Sequence, residues 1–433
     1  MKKLFYLSAI LIMALAINSC QKFNLRDYYN HHQNEKSDAN VATDWYKLQL
    51  SILLERNSAL NGVHFGYIGI GLYESVRYGS NSVSLSAKLY QMPGMPAKEN
   101  NVAYNWQVSA NAAMASMVRS FYTGLTAANL KSIDSLENAY DQKLHSASSP
   151  DVFERSQTFG RSIATAIYNW YLTDNLNPSN VGYVPPVFDG AWIPTPPAYA
   201  PPVQPYIGTA RTFLEANLTG ISPAHIPYSE DPNSDFYKMV KNVYDVSQAL
   251  TTDQKNTALY WIDQGNGVGY TPSGHDMALV TEAIEQTNAN LGTAAEAYAK
   301  AGIAERDATI ECFRSKYTYN LIRPVSYIQK LIDPNWQSFI VTPPHPEYPA
   351  AHAYVTGSVM QAAASVLGNN VKVTDRSYVF RGWAPRTFNN MFAAAEEAGI
   401  SRLYGGIHYL ESVNEGLSLA RELGNRVGSI HLH

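Results

Sequence analysis

From about Asp44 onward, apolar residues recur at helical spacing in segment after segment, and strand-like alternation is almost absent. A chain patterned this way must bury helix stripes against one another. Trp45, Leu48, Leu50, Ile52, Leu53 and Leu54 make one broad stripe, and Ile68, Ile70, Leu72, Tyr73 and Val76 another. Helical pattern also covers Gln107 to Phe121, Leu130 to Leu144, Phe153 to Tyr171, Ser234 to Leu250, Asp253 to Asp263 and several long segments from Asp276 to the end. Val371 to Thr374 is the best strand candidate. Residues 174 to 212 break the rhythm. Pro194, Pro196, Pro197, Pro201, Pro202 and Pro205 exclude helix there and predict an extended surface arm, either a packing strap or the rim of a substrate mouth. The expectation is an all-α fold of helical bundles spanning 41–433. It is either one unit or an N-terminal half, 41–233, packed on a C-terminal half, 234–433.

The first residues read as a targeting segment. Lys2 and Lys3 precede an apolar run from Leu4 to Ile17, too short to span a membrane as a helix. The run ends in Ile17-Asn18-Ser19-Cys20, which resembles a bacterial lipobox. Cleavage after residue 19 and lipidation of Cys20 are expected, followed by a polar tether over 20–40. The protein is then exported and held at the cell envelope by its lipid, with Gln21 leaning towards the outer membrane. The only other cysteine is Cys312, so a lipidated Cys20 leaves no intrachain disulfide. The net charge of −4 comes without any basic stripe, which argues against a nucleic-acid partner.

Three segments carry chemistry. In Lys316-Tyr-Thr-Tyr-Asn-Leu-Ile-Arg323-Pro324 two cations stand seven apart, so on one helix they share a face, which suits an anion between them. In Pro343-Pro-His-Pro-Glu-Tyr-Pro349-Ala350-Ala351-His352 a proline-rich loop enters an Ala-rich helix, Ala350 to Leu367. This places His352 in a first turn whose N–H groups favour an anion. In Ser401-Arg402-Leu-Tyr-Gly405-Gly406-Ile-His408-Tyr-Leu-Glu411-Ser412 an Arg and a His flank a Gly-Gly turn between helices Phe388 to Tyr404 and His408 to Val427. On that second helix Glu411 and Ser412 would reach back to the His408 ring.

In order and spacing these segments resemble the Lys-x6-Arg-Pro, Pro-Ser-Gly-His and Ser-Arg-x5-His-x3-Asp motifs shared by vanadium haloperoxidases and type 2 phosphatidic acid phosphatases. The resemblance extends over residues 41 to 430. Trp192 to Thr212 and Tyr270-Thr-Pro-Ser-Gly-His275 match upstream segments of secreted bacterial haloperoxidase-like proteins. It implies that Lys316, Arg323 and Arg402, with backbone at Ala350, Ala351 and Gly406, hold the oxygens of vanadate or of its analogue phosphate. His408 would be the axial metal ligand, or the phosphorylated nucleophile of a phosphatase, and His352 the acid–base partner.

The chain departs from the motifs at three places. Ala350 and Ala351 stand for Ser and Gly, and Ser412 stands where the family has Asp. Loss of the hydroxyl at 350 removes a bond worth about 1.5–3 kcal/mol to a charged group. Glu411 is the candidate that replaces the missing carboxylate. An intact Pro272-Ser273-Gly274-His275 precedes the Lys-Arg segment, out of family order, and is assigned a structural role. Three functions fit: a vanadate-dependent haloperoxidase oxidising halide with hydrogen peroxide, a periplasmic acid phosphatase working through a phosphohistidine, or a degenerate oxyanion-binding or scaffold lipoprotein.

Overall fold

A computed structural model describes residues 34, 37–55, 61–263 and 269–433. The predicted signal, the Cys20 lipid site and most of the tether lie outside the described residues. Thirteen α-helices and one two-stranded ribbon make up the regular structure of the described part. The helices are α1 (Asn40–Leu54), α2 (Asn61–Val76), α3 (Trp106–Phe121), α4 (Ala127–His145), α5 (Pro150–Tyr171), α6 (Asp235–Gln248) and α7 (Thr252–Tyr260). They continue with α8 (Pro272–Gln286), α9 (Leu291–Tyr319), α10 (Pro324–Leu331), α11 (Gly357–Leu367), α12 (Met391–Tyr404) and α13 (Leu410–Gly428). The ribbon pairs β1 (Val373–Asp375) antiparallel with β2 (Arg386–Phe388), where the lone strand signal pointed.

The 29-residue α9 is the central post. Its Ala-rich sequence lets α2 approach closely: a Cβ at Gly302 would stand 2.7 Å from the Phe65 carbonyl, and one at Gly69 would stand 2.6 Å from that of Tyr298. One continuous apolar cluster runs from α1 through α2, α3, α5, α8 and α9 to α11, α12 and α13. A second, smaller cluster joins α6, α10 and the start of α13.

The proline-rich arm is extended, as its composition requires, and it is anchored at several points. Asp307 of α9 accepts from Phe213 N at 2.6 Å, Leu214 N at 2.9 Å and Asn217 Nδ2 at 2.8 Å. Trp192 N donates to Asn320 O at 2.6 Å, Ala191 bridges Leu321, and Val203 N donates to Pro344 O at 3.0 Å. The arm thus straps the segments that carry the site, and Val203 and Gln204 rim its cavity.

Two local expectations are corrected. Lys316 and Arg323 do not share a helix. α9 ends at Tyr319, Asn320 turns the chain with φ 47°, and Arg323 is the N-cap of α10, with Pro324 as its first residue. His408 likewise precedes its helix, because α13 is capped at Tyr409.

Candidate functional site

Chain reversals rather than helical periodicity bring the predicted cations together. Lys316, in the last turn of α9, is fully buried and donates to the carbonyls of Pro346 at 3.2 Å, Glu347 at 2.8 Å and Pro349 at 2.5 Å. These bonds use all three ammonium protons, so Lys316 organises the proline loop and supplies charge from behind it. Arg323, also buried, donates Nε to His345 O at 2.9 Å and Nη1 to Ile407 O at 2.7 Å. The same Nη1 reaches His408 Nε2 at 3.1 Å, and Nη2 reaches His345 Nδ1 at 3.0 Å. Its contact with Pro343 O, at 3.5 Å, is weak.

These bonds fix the state of His408. Arginine only donates, so His408 Nε2 must accept from Arg323. The proton then sits on Nδ1, which donates to Glu347 Oε1 at 2.8 Å. The same oxygen accepts Tyr409 N at 3.0 Å, and Oε2 accepts Ser412 Oγ at 2.7 Å. Burial, with Arg323 and Lys316 close by, pushes the His408 imidazole well below its usual range, so it is neutral. Burial raises Glu347, while Lys316, Arg323 and the donors from Ser412 and Tyr409 pull it back. Its anion is the form that accepts all three donors.

The carboxylate that orients His408 is therefore Glu347, and the assignment to Glu411 is corrected. Glu411 is exposed in the first turn of α13, and no helical geometry links it to a ring that precedes the helix. Ser412 acts through Glu347. The backbone assignments are also corrected in part. Ala350 N donates to Ser412 O at 3.2 Å, and Gly406 N closes its turn on Leu403 O at 2.9 Å, so neither faces an anion. Gly406 is a turn residue with φ 74°, against Trp336.

His352 begins a short π-helical stretch, His352–Thr356, at the head of α11. Its Nε2 lies 3.3 Å from Asp263 Oδ2 and 3.5 Å from Arg402 Nη1. Burial and Arg402 push it down to about 4, against the pull of Asp263. Arg402 Nη2 donates to Trp261 O at 2.6 Å. Burial lowers both Arg323 and Arg402 to about 10, and both remain charged at neutral pH.

A cavity of about 420 Å³ opens over this group. His352, His408, Arg402 and Ala351 line its polar end, and Phe313, Ile340, Val341, Pro344 and Val203 line the apolar side. Lys316 and Arg323 stand behind this wall. A wider depression of about 610 Å³ between Trp383 and Phe388 contains none of these residues.

Three site residues escaped the sequence reading: Glu347, His345 and Asp263. Glu347 is the one acidic side chain in the Pro343–His352 segment, but helical spacing does not relate it to His408. His275 does not line the cavity, yet it contacts Asp263 directly.

The donor set suits a vanadate or phosphate oxyanion in kind. It offers one imidazole with its Nε2 lone pair fixed, two arginines and a lysine close by, and an adjacent neutral histidine. It offers fewer backbone donors than the motifs imply, since those at 350 and 406 are used.

The family model for the VCPO second helical-bundle domain matches residues 329–431. Among solved structures, a bacterial vanadium-dependent iodoperoxidase is 28% identical with a TM-score of 0.81, over 92% of this chain and 97% of that one. An apo-type bacterial vanadium-dependent chloroperoxidase is 15% identical with a TM-score of 0.60, over 85% of this chain and 91% of that one. Its holo-type counterpart, also 15% identical, gives a TM-score of 0.58 over 94% and 97%. At that identity the last two speak for the fold alone. A comparison with curated protein sequences finds no match.

Proposed function

We propose that this chain, whose residues 329–431 match the VCPO second helical-bundle domain and whose fold is similar to that of a bacterial vanadium-dependent iodoperoxidase, is a vanadium-dependent haloperoxidase that oxidises halide with hydrogen peroxide. The observation that carries the reading is the His408–Glu347 pair. Glu347 holds the proton on Nδ1 and leaves Nε2 with a lone pair beside Arg323 at the cavity. His408 would be the protein ligand that holds vanadate, with Arg323 and Arg402 binding its oxygens and Lys316 adding charge. When bound, vanadate would supply Lewis-acid activation of peroxide.

The chain's own residues set the conditions for that chemistry. Arg323 must release Nη1 from His408 Nε2 when a ligand takes that nitrogen, and its weak contact with Pro343 leaves Nη2 able to turn towards an oxygen. His352, neutral in the free site, gains basicity beside an anion and can then exchange protons with a bound oxygen. Phe313, Val341 and Pro344 add apolar surface to the same cavity.

One similar solved structure, 28% identical to this chain, is a bacterial vanadium-dependent iodoperoxidase, and iodide is the halide we propose first. Export and tethering through Cys20 remain part of this proposal. Turnover decides between the readings. Iodide or bromide oxidation by peroxide, dependent on added orthovanadate, supports the haloperoxidase. Hydrolysis of an aryl phosphate without vanadate, and no halide oxidation, would favour the phosphatase and refute it.

A further inference from the structure

Behind His352 lies a chain of buried groups centred on His275 of the upstream Pro272-Ser273-Gly274-His275 segment. His275, in the first turn of α8, is fully buried between two carboxylates: Nδ1 meets Asp263 Oδ1 at 2.9 Å, and Nε2 meets Asp375 Oδ2 at 2.8 Å. Both ring nitrogens face acceptors, an arrangement that suits the imidazolium. Tyr378 Oη also donates to Asp263 Oδ1, at 2.6 Å. Asp375 is held in turn by Ser377 N at 2.8 Å. Asp263 adopts φ 44°, unusual for a non-glycine residue, and its other oxygen lies 3.3 Å from His352 Nε2. The His275 ring stacks on Trp261 at 4.4 Å, and the Trp261 carbonyl holds Arg402. One clamped segment, 261–263, therefore touches two of the residues that line the polar end of the cavity.

We propose that Asp263 and His275 are positioning residues for His352: the imidazolium of His275, locked between Asp263 and Asp375, keeps Asp263 anionic with Oδ2 on His352 Nε2, so that His352 carries its proton on Nε2 and works through Nδ1. The inference rests on the reading of the cavity as an oxyanion site with His352 as its acid–base group.

Three observations give it direction. The Asp263 contact is shorter than the one to Arg402 Nη1, so Nε2 donates to the carboxylate rather than accepting from the guanidinium. Burial disfavours the Asp263 anion, but the His275 charge and hydrogen bond more than reverse this and hold its carboxyl below the usual range. His275 is correspondingly pushed well above its usual range, against burial, by Asp263 and Asp375. The other titratable groups facing the relay are Tyr260, Tyr378 and Asp276 around His275, and Arg402 and His345 around His352.

Nitrogen-15 histidine NMR of the protein without vanadate tests the relay independently of turnover. In the unaltered protein near neutral pH, His352 should be the Nε2–H tautomer and His275 doubly protonated. A wild-type His352 with its proton on Nδ1, or a neutral His275, overturns the proposal. In His275→Gln, and in Asp375→Asn as a milder variant, His352 should shift towards Nδ1–H. With vanadate and peroxide, kcat for iodide should fall by about 10²-fold, while KM and orthovanadate affinity stay within about threefold and the basic limb of the pH profile moves. Folded variants with wild-type tautomer and pH profile refute it. A wild type that binds no orthovanadate would sink the oxyanion reading, while the NMR result would still decide the relay.

Discussion

Glu347→Gln separates the charge of the buried carboxylate from its shape. In the native site Oε1 serves two donors, His408 Nδ1 at 2.8 Å and Tyr409 N at 3.0 Å, while Oε2 serves only Ser412 Oγ at 2.7 Å. A glutamine can keep its carbonyl where the two donors converge and turn its amide to Ser412, whose hydroxyl can rotate to accept. His408 then keeps its proton on Nδ1. What disappears is the negative charge facing the buried cations Lys316 and Arg323. Removing one partner of such a group costs roughly 3–5 kcal/mol, and weakening the three charge-assisted bonds costs about 1 kcal/mol each. These are two views of one loss, so urea unfolding should show a stability drop of about 3 kcal/mol. Glu347→Ala removes the acceptor as well. His408 then loses the acceptor that anchors its Nδ1 proton and its ring orientation, and orthovanadate affinity should fall by about 100-fold or more, about 2.7 kcal/mol. Nitrogen-15 spectra and calorimetry read both effects. An Nε2–H His408 in the glutamine variant, or near-native orthovanadate binding in the alanine variant, would refute the role assigned to Glu347.

Other expectations follow from single residues. Burial raises Glu305, at the cavity wall, from 4.5 to about 7. The folded protein therefore keeps this proton longer than the unfolded chain does. Its contribution to stability is full below pH 4.5 and is lost as pH rises to about 7, a change of about 3 kcal/mol. Glu305→Gln should flatten that decline in urea melts taken across the range. Gly406→Ala should cost on the order of 1–2 kcal/mol for its left-handed φ, plus crowding against Trp336, and should displace His408 enough to weaken orthovanadate binding. Cys20→Ala should abolish incorporation of labelled fatty acid in a bacterial host; persistent labelling would refute the lipid assignment.

Much of the fold was legible because apolar spacing and caps agree. The stripes at Trp45 to Leu54 and at Ile163, Ile167 and Trp170 are buried faces of α1 and α5, and Thr126 and Ser234 cap helices as their chemistry favours. The cations and histidines of the site were legible as residue types in order. Their geometry was not, because it depends on turns. Asn320 ends α9 before Arg323, and Gly406 turns the chain so that His408 stands ahead of α13. Helical spacing therefore pointed to Glu411, while the proline loop delivered Glu347 from 61 residues away. The His275 relay was hidden for the same reason. Asp263 and Asp375 lie 12 and 100 residues from it in sequence, and only the packing of β1 and the segment after α7 against α8 brings them together.

Calorimetric titration of the purified protein with orthovanadate, alongside His408→Ala, tests the oxyanion site most directly. Saturable one-to-one binding, competed by inorganic phosphate and weakened about 100-fold or more in the variant, is the predicted result. No binding to the unaltered protein, or equal binding by His408→Ala, would contradict it.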